Sequence, residues 1–336
     1  MGRWCAARAA TACLVGLAFA ASCAGAKDAS TSTSTSTVTS TTTAVTSTTA
    51  AAPVSCPPVS APLRSGPATL TSGGAERTYV VTLPPTFDPR RVTRVILDFH
   101  GSGSDMNQEL AYSGLATKGG ARGYVVVTPD GTGARKGWAL GGDVDYRFAD
   151  DLLAVVGRSM CIDPSRIYTA GISNGSAFSA LLVCRSPYRF AAVAMVAATL
   201  PSTCPAQVRP PAIAFHGTAD PIVPFTGGTV QAEGGQHFGT TAPGAEGAIA
   251  KWAEHNGCGP TPANRNIGTD VIERRWTGCG PGADVTFYRI EGGGHTWPGS
   301  IDLRKAGFAF LGATTATIDA TALMLDFFDA HPKQPS

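Results

Sequence analysis

Gly171-Ile172-Ser173-Asn174-Gly175 sets a serine between two glycines where one kind of sequence gives way to another. Before it runs a β-branched and aromatic stretch, Ile167-Tyr168-Thr169. After it comes an alanine-rich segment with Phe178, Leu181 and Leu182 on neighbouring helical positions. Strand, G-x-S-x-G and helix in that order form the context in which a serine is presented as a nucleophile. The requirement is steric: at the tip of so sharp a turn, side chains two residues to either side would block the hydroxyl. Gly171 and Gly175 remove them. In a chain with 40 glycines the five-residue pattern also arises by chance. Its partners therefore decide.

A serine hydroxyl is a weak nucleophile near neutral pH. It needs a histidine to take its proton and a carboxylate to hold that histidine in one tautomer. After a strand-to-helix elbow these partners are expected later in the chain, carboxylate first and histidine second. Asp220 follows the apolar run Ala212-Ile213-Ala214-Phe215-His216, and His295 follows Val285–Ile290 and three glycines. Ser173, Asp220 and His295 are thus the candidate triad. Asp220 competes only with the reading of a turn residue before Pro221. Of the other histidines, His216 is expected to tie down the Asp220 loop, and His255 and His331 sit near helix ends. Negative charge developing on a carbonyl oxygen needs preorganised donors. The backbone N–H of Asn174 is one candidate, and that of Ser102, in His100-Gly101-Ser102-Gly103-Ser104, is the other.

The elements that must carry these residues alternate. A hairpin is expected from Ala68–Thr71 and Arg77–Leu83, turning at Gly73-Gly74. Strands are expected over Val92–Phe99, Tyr124–Thr128, Phe190–Ala198, Ala212–His216 and Val285–Ile290. Helices are expected over Glu109–Lys118, Tyr146–Met160 with Asp145 as N-cap, Gly247–His255 and Asp319–Ala330. Strands alternating with helices predict an α/β fold, a mostly parallel twisted sheet covered on both faces, with ligands at the carboxyl ends of its strands. Asp98, inside Val95-Ile96-Leu97-Asp98-Phe99, is out of place: a carboxylate there must be hydrogen-bonded or paired. A structural role is the favoured reading of it.

The chain has 336 residues, 43% hydrophobic, with a net charge of +2 and no long basic run, which argues against nucleic acid as a partner. Arg3 and Arg8 precede an apolar run from Ala9 to Ala21 that is too short to span a bilayer, so residues 1–23 read as a targeting segment. Ala20-Ala21-Ser22-Cys23 resembles a lipoprotein processing box, with Cys23 the lipidated residue; a cut after Ala24-Gly25-Ala26 would instead release the protein. All but three residues from Ser30 to Thr49 are Ser or Thr, so residues 24–55 read as an extended tether, and 56–336 as the catalytic domain. Any contact with a membrane is then through the lipid anchor alone. Six cysteines remain in the exported part, without metal-ligand spacing, and read as three disulfides. Topology suggests Cys258–Cys279, Cys161–Cys184 and Cys56–Cys204.

VILDFHGSGS, GISNGSAF, AFHGTADPIVPF and IEGGGHTWPG together resemble the polyhydroxybutyrate depolymerase and feruloyl esterase group of secreted α/β-hydrolases. Phe148–Leu153 and the run CIDPSRIYTAG are also similar to the feruloyl esterases. The resemblance, spanning roughly Ser65 to His331, implies the α/β-hydrolase fold; the short segments between strands around the elbow hold no amphipathic insertion of the size a lid needs. It implies Ser173 as nucleophile, Asp220 as acid, His295 as base, and the N–H groups of Ser102 and Asn174 as oxyanion donors. Family members often carry Cys where Ser102 stands, and an apolar residue where Asp98 stands. The expected activity is hydrolysis of feruloyl, acetyl or other short acyl esters on a polymer outside the cell, with no cofactor and no metal. A polyhydroxyalkanoate depolymerase is the alternative, and a catalytically silent wall-associated binding protein a remote one. Trp138 and Trp297 are the candidate surfaces for an aromatic acyl group or a sugar.

Overall fold

The computed structural model describes residues 54, 56, 58–59, 61–186, 189–231 and 237–333. The targeting segment with Cys23, and the Ser/Thr tract from Ser30 to Thr49, lie outside the described residues. Among those described, no helix is long and apolar enough to cross a membrane.

The hairpin is formed by β1 (Gly66–Ser72) and β2 (Ala75–Thr82), turning at Gly73 and Gly74 with φ of 59° and 84°. Then come β3 (Thr93–Phe99), α1 (Met106–Ser113), α2 (Leu115–Ala121), β4 (Tyr124–Pro129), α3 (Val144–Ser159) and β5 (Ile162–Ile172). After the elbow follow α4 (Asn174–Arg185), β6 (Ala192–Val196), β7 (Ala212–Gly217), β8 (Gly228–Gln231), β9 (His237–Ala242) and α5 (Ala245–His255). β10 (Ala263–Ile267), β11 (Val271–Arg275), β12 (Val285–Ile290) and α6 (Ala320–Ala330) complete the order. One ten-stranded sheet runs β1-β2-β4-β3-β5-β6-β7-β12-β11-β10, and β8 pairs with β9 apart from it. β4, β3, β5, β6, β7 and β12 are parallel, and the strands outside them antiparallel. Parallel neighbours align all their carboxyl ends along one edge, which gathers the ends of β3, β5, β7 and β12 there.

Period-two alternation sorts the central strands between two cores. Val95, Leu97 and Phe99 of β3, with Val193 and Met195 of β6, join Phe148, Leu152, Phe178 and Trp252 of α3, α4 and α5. Ile96, Ala194 and Val196 face the other way, toward Leu115, Met324 and Phe328 of α2 and α6. Both faces are therefore covered, as a sheet of buried parallel strands requires.

Three local expectations change. The single helix expected over Glu109–Lys118 is two, broken where Gly114 takes φ 64°, and the first is capped by Asp105 through Asn107 N–H and Gln108 N–H. Asp143, not Asp145, is the cap residue of α3; Asp145 is buried in its first turn and ion-paired with Arg77 at 2.9 Å. β8 to β11 were not anticipated. Ala-Asn-Arg-Asn-Ile in β10 and Val-Ile-Glu-Arg-Arg in β11 carry no continuous apolar face to reveal them, and the buried Glu273 is hydrogen-bonded by Tyr288 and Arg265.

Cys258 pairs with Cys279 as expected, but the other two disulfides are Cys56–Cys161 and Cys184–Cys204. The expected Cys161–Cys184 and Cys56–Cys204 pairs are overturned. Cys184 ends α4, which packs on β5 and β6, so it meets the β6–β7 connection that carries Cys204. Cys161 faces the opposite way, toward the segment entering the domain, where Leu63 N–H bonds to Ser159 O.

Asp98 is fully buried in β3 and accepts a hydrogen bond from Ser113 Oγ at 2.8 Å. Glu109 of α1, equally buried, is its neighbour. Burial, opposed in part by the hydrogen bond from Ser113, pushes the Asp98 carboxyl up to about 7. Burial and then the Asp98 charge drive Glu109 well above the carboxylate range. Asp98 thus holds a proton that the unfolded chain releases at the ordinary 3.8 of an aspartate. A native state that binds the extra proton loses stability as pH rises from about 4 to about 7. Asp98→Asn should remove that loss: its stability advantage over the parent is expected to be absent near pH 4 and to grow by up to about 1.4 kcal/mol per pH unit toward pH 7. Urea melts at three pH values check this; an advantage independent of pH would refute the raised titration of Asp98.

Candidate active site

The elbow is strained as the sequence demands. Ser173 has φ 57° and ψ −121°, a left-handed conformation that a residue with a Cβ adopts only when its surroundings enforce it. Ser173 N–H is held by Val196 O at 2.8 Å, and Ser173 O accepts Ala177 N–H to start α4. The flanking glycines are required by the end of β3, which passes against the turn. A Cβ on Gly175 would stand 2.1 Å from Phe99 O and 2.5 Å from His100 O, and one on Gly171 would stand 2.5 Å from Phe99 O. Backbone cannot yield as a flexible side chain can. Gly175→Ala is therefore expected to destabilise the domain by about 3 kcal/mol or more and to remove most activity. Thermal melts and turnover of the soluble variant check this, and a variant melting within a degree of the parent would contradict it.

Asp220 follows β7 and is buried, with both oxygens hydrogen-bonded. Its Oδ1 accepts Ile222 N–H and Val223 N–H at 2.9 and 2.8 Å, and its Oδ2 accepts from His295 Nδ1 at 2.8 Å. His216 Nε2 lies 3.3 Å from the same oxygen and donates to Val223 O at 3.0 Å, so it ties down this loop as expected. Burial alone would raise the Asp220 carboxyl; the His295 charge and the hydrogen bonds from His216 and His295 outweigh it and hold it well below the usual range. With Nδ1–H given to Asp220, Nε2 of His295 is left with its lone pair.

The glycines before His295 serve neighbouring backbone rather than flexibility. A Cβ on Gly294 would stand 2.2 Å from Leu311 O, and one on Gly217, at the end of β7, 2.1 Å from Gly293 O. His295 N–H bonds to Leu311 O and Gly294 N–H to Ala313 O, so the connection between β12 and α6 braces the histidine loop. Ser173 stands at the same sheet edge. Its hydroxyl makes no hydrogen bond to His295 in this structure; such contacts often tighten only when substrate binds.

The loop after β3 approaches the serine closely: a Cβ on Gly101 would stand 3.2 Å from Ser173 Cβ. His100 sets this loop, a role the sequence did not disclose. Gly131 N–H donates to His100 Nε2 at 2.8 Å, which fixes the proton on Nδ1, and Nδ1–H donates to Gly101 O at 2.8 Å. Burial keeps this imidazole below its ordinary value and so neutral. Because C=O and N–H of a trans peptide point in opposite directions, anchoring Gly101 O aims Ser102 N–H away from His100. Asn174 opens α4, where a helix leaves its first N–H groups without intrahelical partners. Its side chain is spent elsewhere, accepting Trp138 N–H at 2.7 Å and donating to Trp138 O at 3.0 Å.

Trp138 and Trp297 are not ligand platforms. Trp138 is 4% exposed, its ring packed on Phe99 and Phe178 and its indole N–H given to His100 O. Trp297 is 1% exposed and donates to Thr321 Oγ1. Both lie in glycine-rich loops, where sequence does not tell a ring folded under the loop from one turned outward. Among the described residues no cluster of His, Cys, Asp and Glu has the form of a metal site.

No family model matches the chain. It is 28% identical to feruloyl esterase D of Neurospora crassa over 261 residues, 73% of this chain and 83% of that one. It is also 28% identical to feruloyl esterase C of Emericella nidulans, over 67% of this chain and 80% of the relative. With the putative esterase NocK of Nocardia uniformis it shares 28% identity, over 69% and 72% of the two chains. Of solved structures, an acetyl xylan esterase from Aspergillus awamori superposes with a TM-score of 0.53 at 14% identity, covering 73% of this chain and 98% of that one. A thermostable esterase superposes with a TM-score of 0.52, over 80% of this chain and 63% of that one. The fold is that of the α/β-hydrolases, and the likeness to the feruloyl esterases first read from four motifs extends over most of the chain.

Proposed function

We propose that this protein is an exported serine esterase that hydrolyses carboxylic esters through an acyl-enzyme. The observation that carries the reading is the His295 Nδ1–Asp220 Oδ2 hydrogen bond at 2.8 Å, at the same sheet edge as a serine held at φ 57°. Ser173 Oγ attacks the ester carbonyl carbon while His295 Nε2 takes its proton, and buried Asp220 stabilises the imidazolium. The carbonyl oxygen, now an anion, is received by the N–H groups of Ser102 and Asn174, the latter at the start of α4. His295 returns the proton to the departing alcohol oxygen. Water then repeats the sequence on the acyl-enzyme, with His295 again as base, and frees the acid and Ser173.

Relatives named feruloyl esterase and a structural neighbour named acetyl xylan esterase favour feruloyl, acetyl or other short acyl groups on a polysaccharide or its fragments. Three disulfides support an oxidising, extracytoplasmic setting, and Cys23 is the proposed point of lipid attachment. The hollow that meets the elbow at Asn174 is about 290 Å³, at the small end for ligand sites. Turnover of p-nitrophenyl esters from acetyl to dodecanoyl, with methyl ferulate and acetylated xylan alongside, tests the reading. Short-chain esters are expected to lead. A steady rise of kcat/KM to the dodecanoyl ester, with no release of ferulate or acetate, would identify a lipase instead.

A further inference from the structure

His295 reaches the sheet edge on a loop braced along its length by a second segment. Gly294 N–H and His295 N–H donate to Ala313 O and Leu311 O, Thr296 Oγ1 donates to Ala313 O, and Gly299 N–H donates to Thr315 O. Gly293 and Ala313 also face each other in a parallel bridge. Residues 293–299 thus lie along residues 311–315, which offer them acceptors. Any play in that second segment is passed on to His295.

The brace is itself tied down from outside, by the turn between β10 and β11. That turn stands beside the end of β12, because Val271 pairs with Ile290. Asp270 takes hold there in two ways. Its carbonyl accepts Glu291 N–H at 2.7 Å, just ahead of the three glycines. Its carboxylate accepts from Thr315 Oγ1 on Oδ2 at 2.6 Å, and from Thr317 Oγ1 on Oδ1. Gly268 completes the seat: a Cβ there would stand 2.8 Å from Thr317 Cγ2. The two hydroxyls hold the Asp270 carboxyl below the usual range, so it stays ionised wherever a histidine base works. One residue therefore grips the entry to the histidine loop by its backbone and the brace by its side chain. We propose that Asp270 is a positioning residue for His295, fixing the segment that sets where Nε2 stands relative to Ser173; the proposal rests on reading His295 as the base of an esterase.

Misplacing a catalytic group by about 1 Å costs on the order of 100-fold, so loss of the two hydroxyl bonds should show in kcat rather than in KM. With p-nitrophenyl acetate, Asp270→Ala is expected to lower kcat about tenfold or more, with KM within about twofold of the parent. Asp270→Asn, which keeps one acceptor oxygen, should fall between. Thr315→Val with Thr317→Val removes the same bonds from the other side and should match Asp270→Ala. Since one interaction is broken either way, the triple variant should lose no more than either. Arg265→Ala loosens the same hairpin at its ion pair with Glu273 and is expected to keep parental kcat. Parental kcat in folded Asp270→Ala, or an equal loss in Arg265→Ala, would overturn the proposal. Where Asp270→Ala does not fold, the paired threonine variant decides in the same way. A second readout needs no ester: the proton resonance of His295 Nδ1–H, assigned by its absence in His295→Ala. That proton should exchange faster with water in Asp270→Ala and in the paired threonine variant, but not in Arg265→Ala. Should the parent cleave no ester at all, the esterase reading fails by itself. The exchange rate then decides the positioning role: faster exchange in Asp270→Ala supports it, and a rate equal to the parent's refutes it.

Discussion

Ser173→Ala is expected to lower kcat for a short-chain ester by about 10⁴-fold or more while leaving the fold intact. Two features of the elbow make the substitution clean. Alanine keeps the Cβ, so the strain at φ 57° is neither relieved nor increased. The hydroxyl itself makes no hydrogen bond that holds the loop, whereas the backbone of Ser173 is held by Val196 O and Ala177 N–H, which alanine preserves. Circular dichroism and melting temperature should therefore match the parent. Ser173→Gly, equally inactive, should melt slightly higher, because glycine adopts this φ without penalty. Retention of a tenth of parental turnover by the alanine variant would mean that some other group is the nucleophile.

Asp220→Asn is expected to cost a similar factor, about 10⁴, by a different route. Asp220 offers only acceptors, and three donors bond to it: Ile222 N–H and Val223 N–H on one oxygen and His295 on the other, with His216 Nε2 3.3 Å from that second oxygen. An amide has one acceptor oxygen. Two short backbone contacts claim it, which leaves the NH₂ facing His295 Nδ1. That ring must then present a lone pair at Nδ1 and carry its proton on Nε2, where a general base needs the lone pair. The variant should also be less stable, since His216 now faces a donor. Single-turnover kinetics across pH 5–9 would show the loss at every pH, because the fault lies in the tautomer and not in a shifted titration. Near-parental activity at any pH in that range would remove Asp220 from the triad.

How much of this was legible beforehand depended on how local the determinant was. The elbow is encoded within five residues: the glycines at 171 and 175 admit the turn, and the flanking segments carry their own strand and helix periodicities. Asp220 and His295 were legible because each follows a buried strand in a glycine-containing loop, and a parallel sheet places all such loops at one edge. Strands β10 and β11 were not legible: β10 is exposed at four of its five residues, and β11 buries Glu273, which is ion-paired with Arg265, instead of an apolar side chain at that position.

The sequence by itself determined the α/β alternation and the Ser, Asp, His order. These follow from periodicity and strand ends. Only the tertiary structure decided the rest. It buried both tryptophans, paired Cys56 with Cys161 and Cys184 with Cys204, brought Gly131 N–H onto His100 Nε2, and set Glu109 against Asp98. The reason is common to all four. Each joins segments whose approach is fixed by how helices and loops close over the sheet, and no window of neighbouring residues carries that geometry.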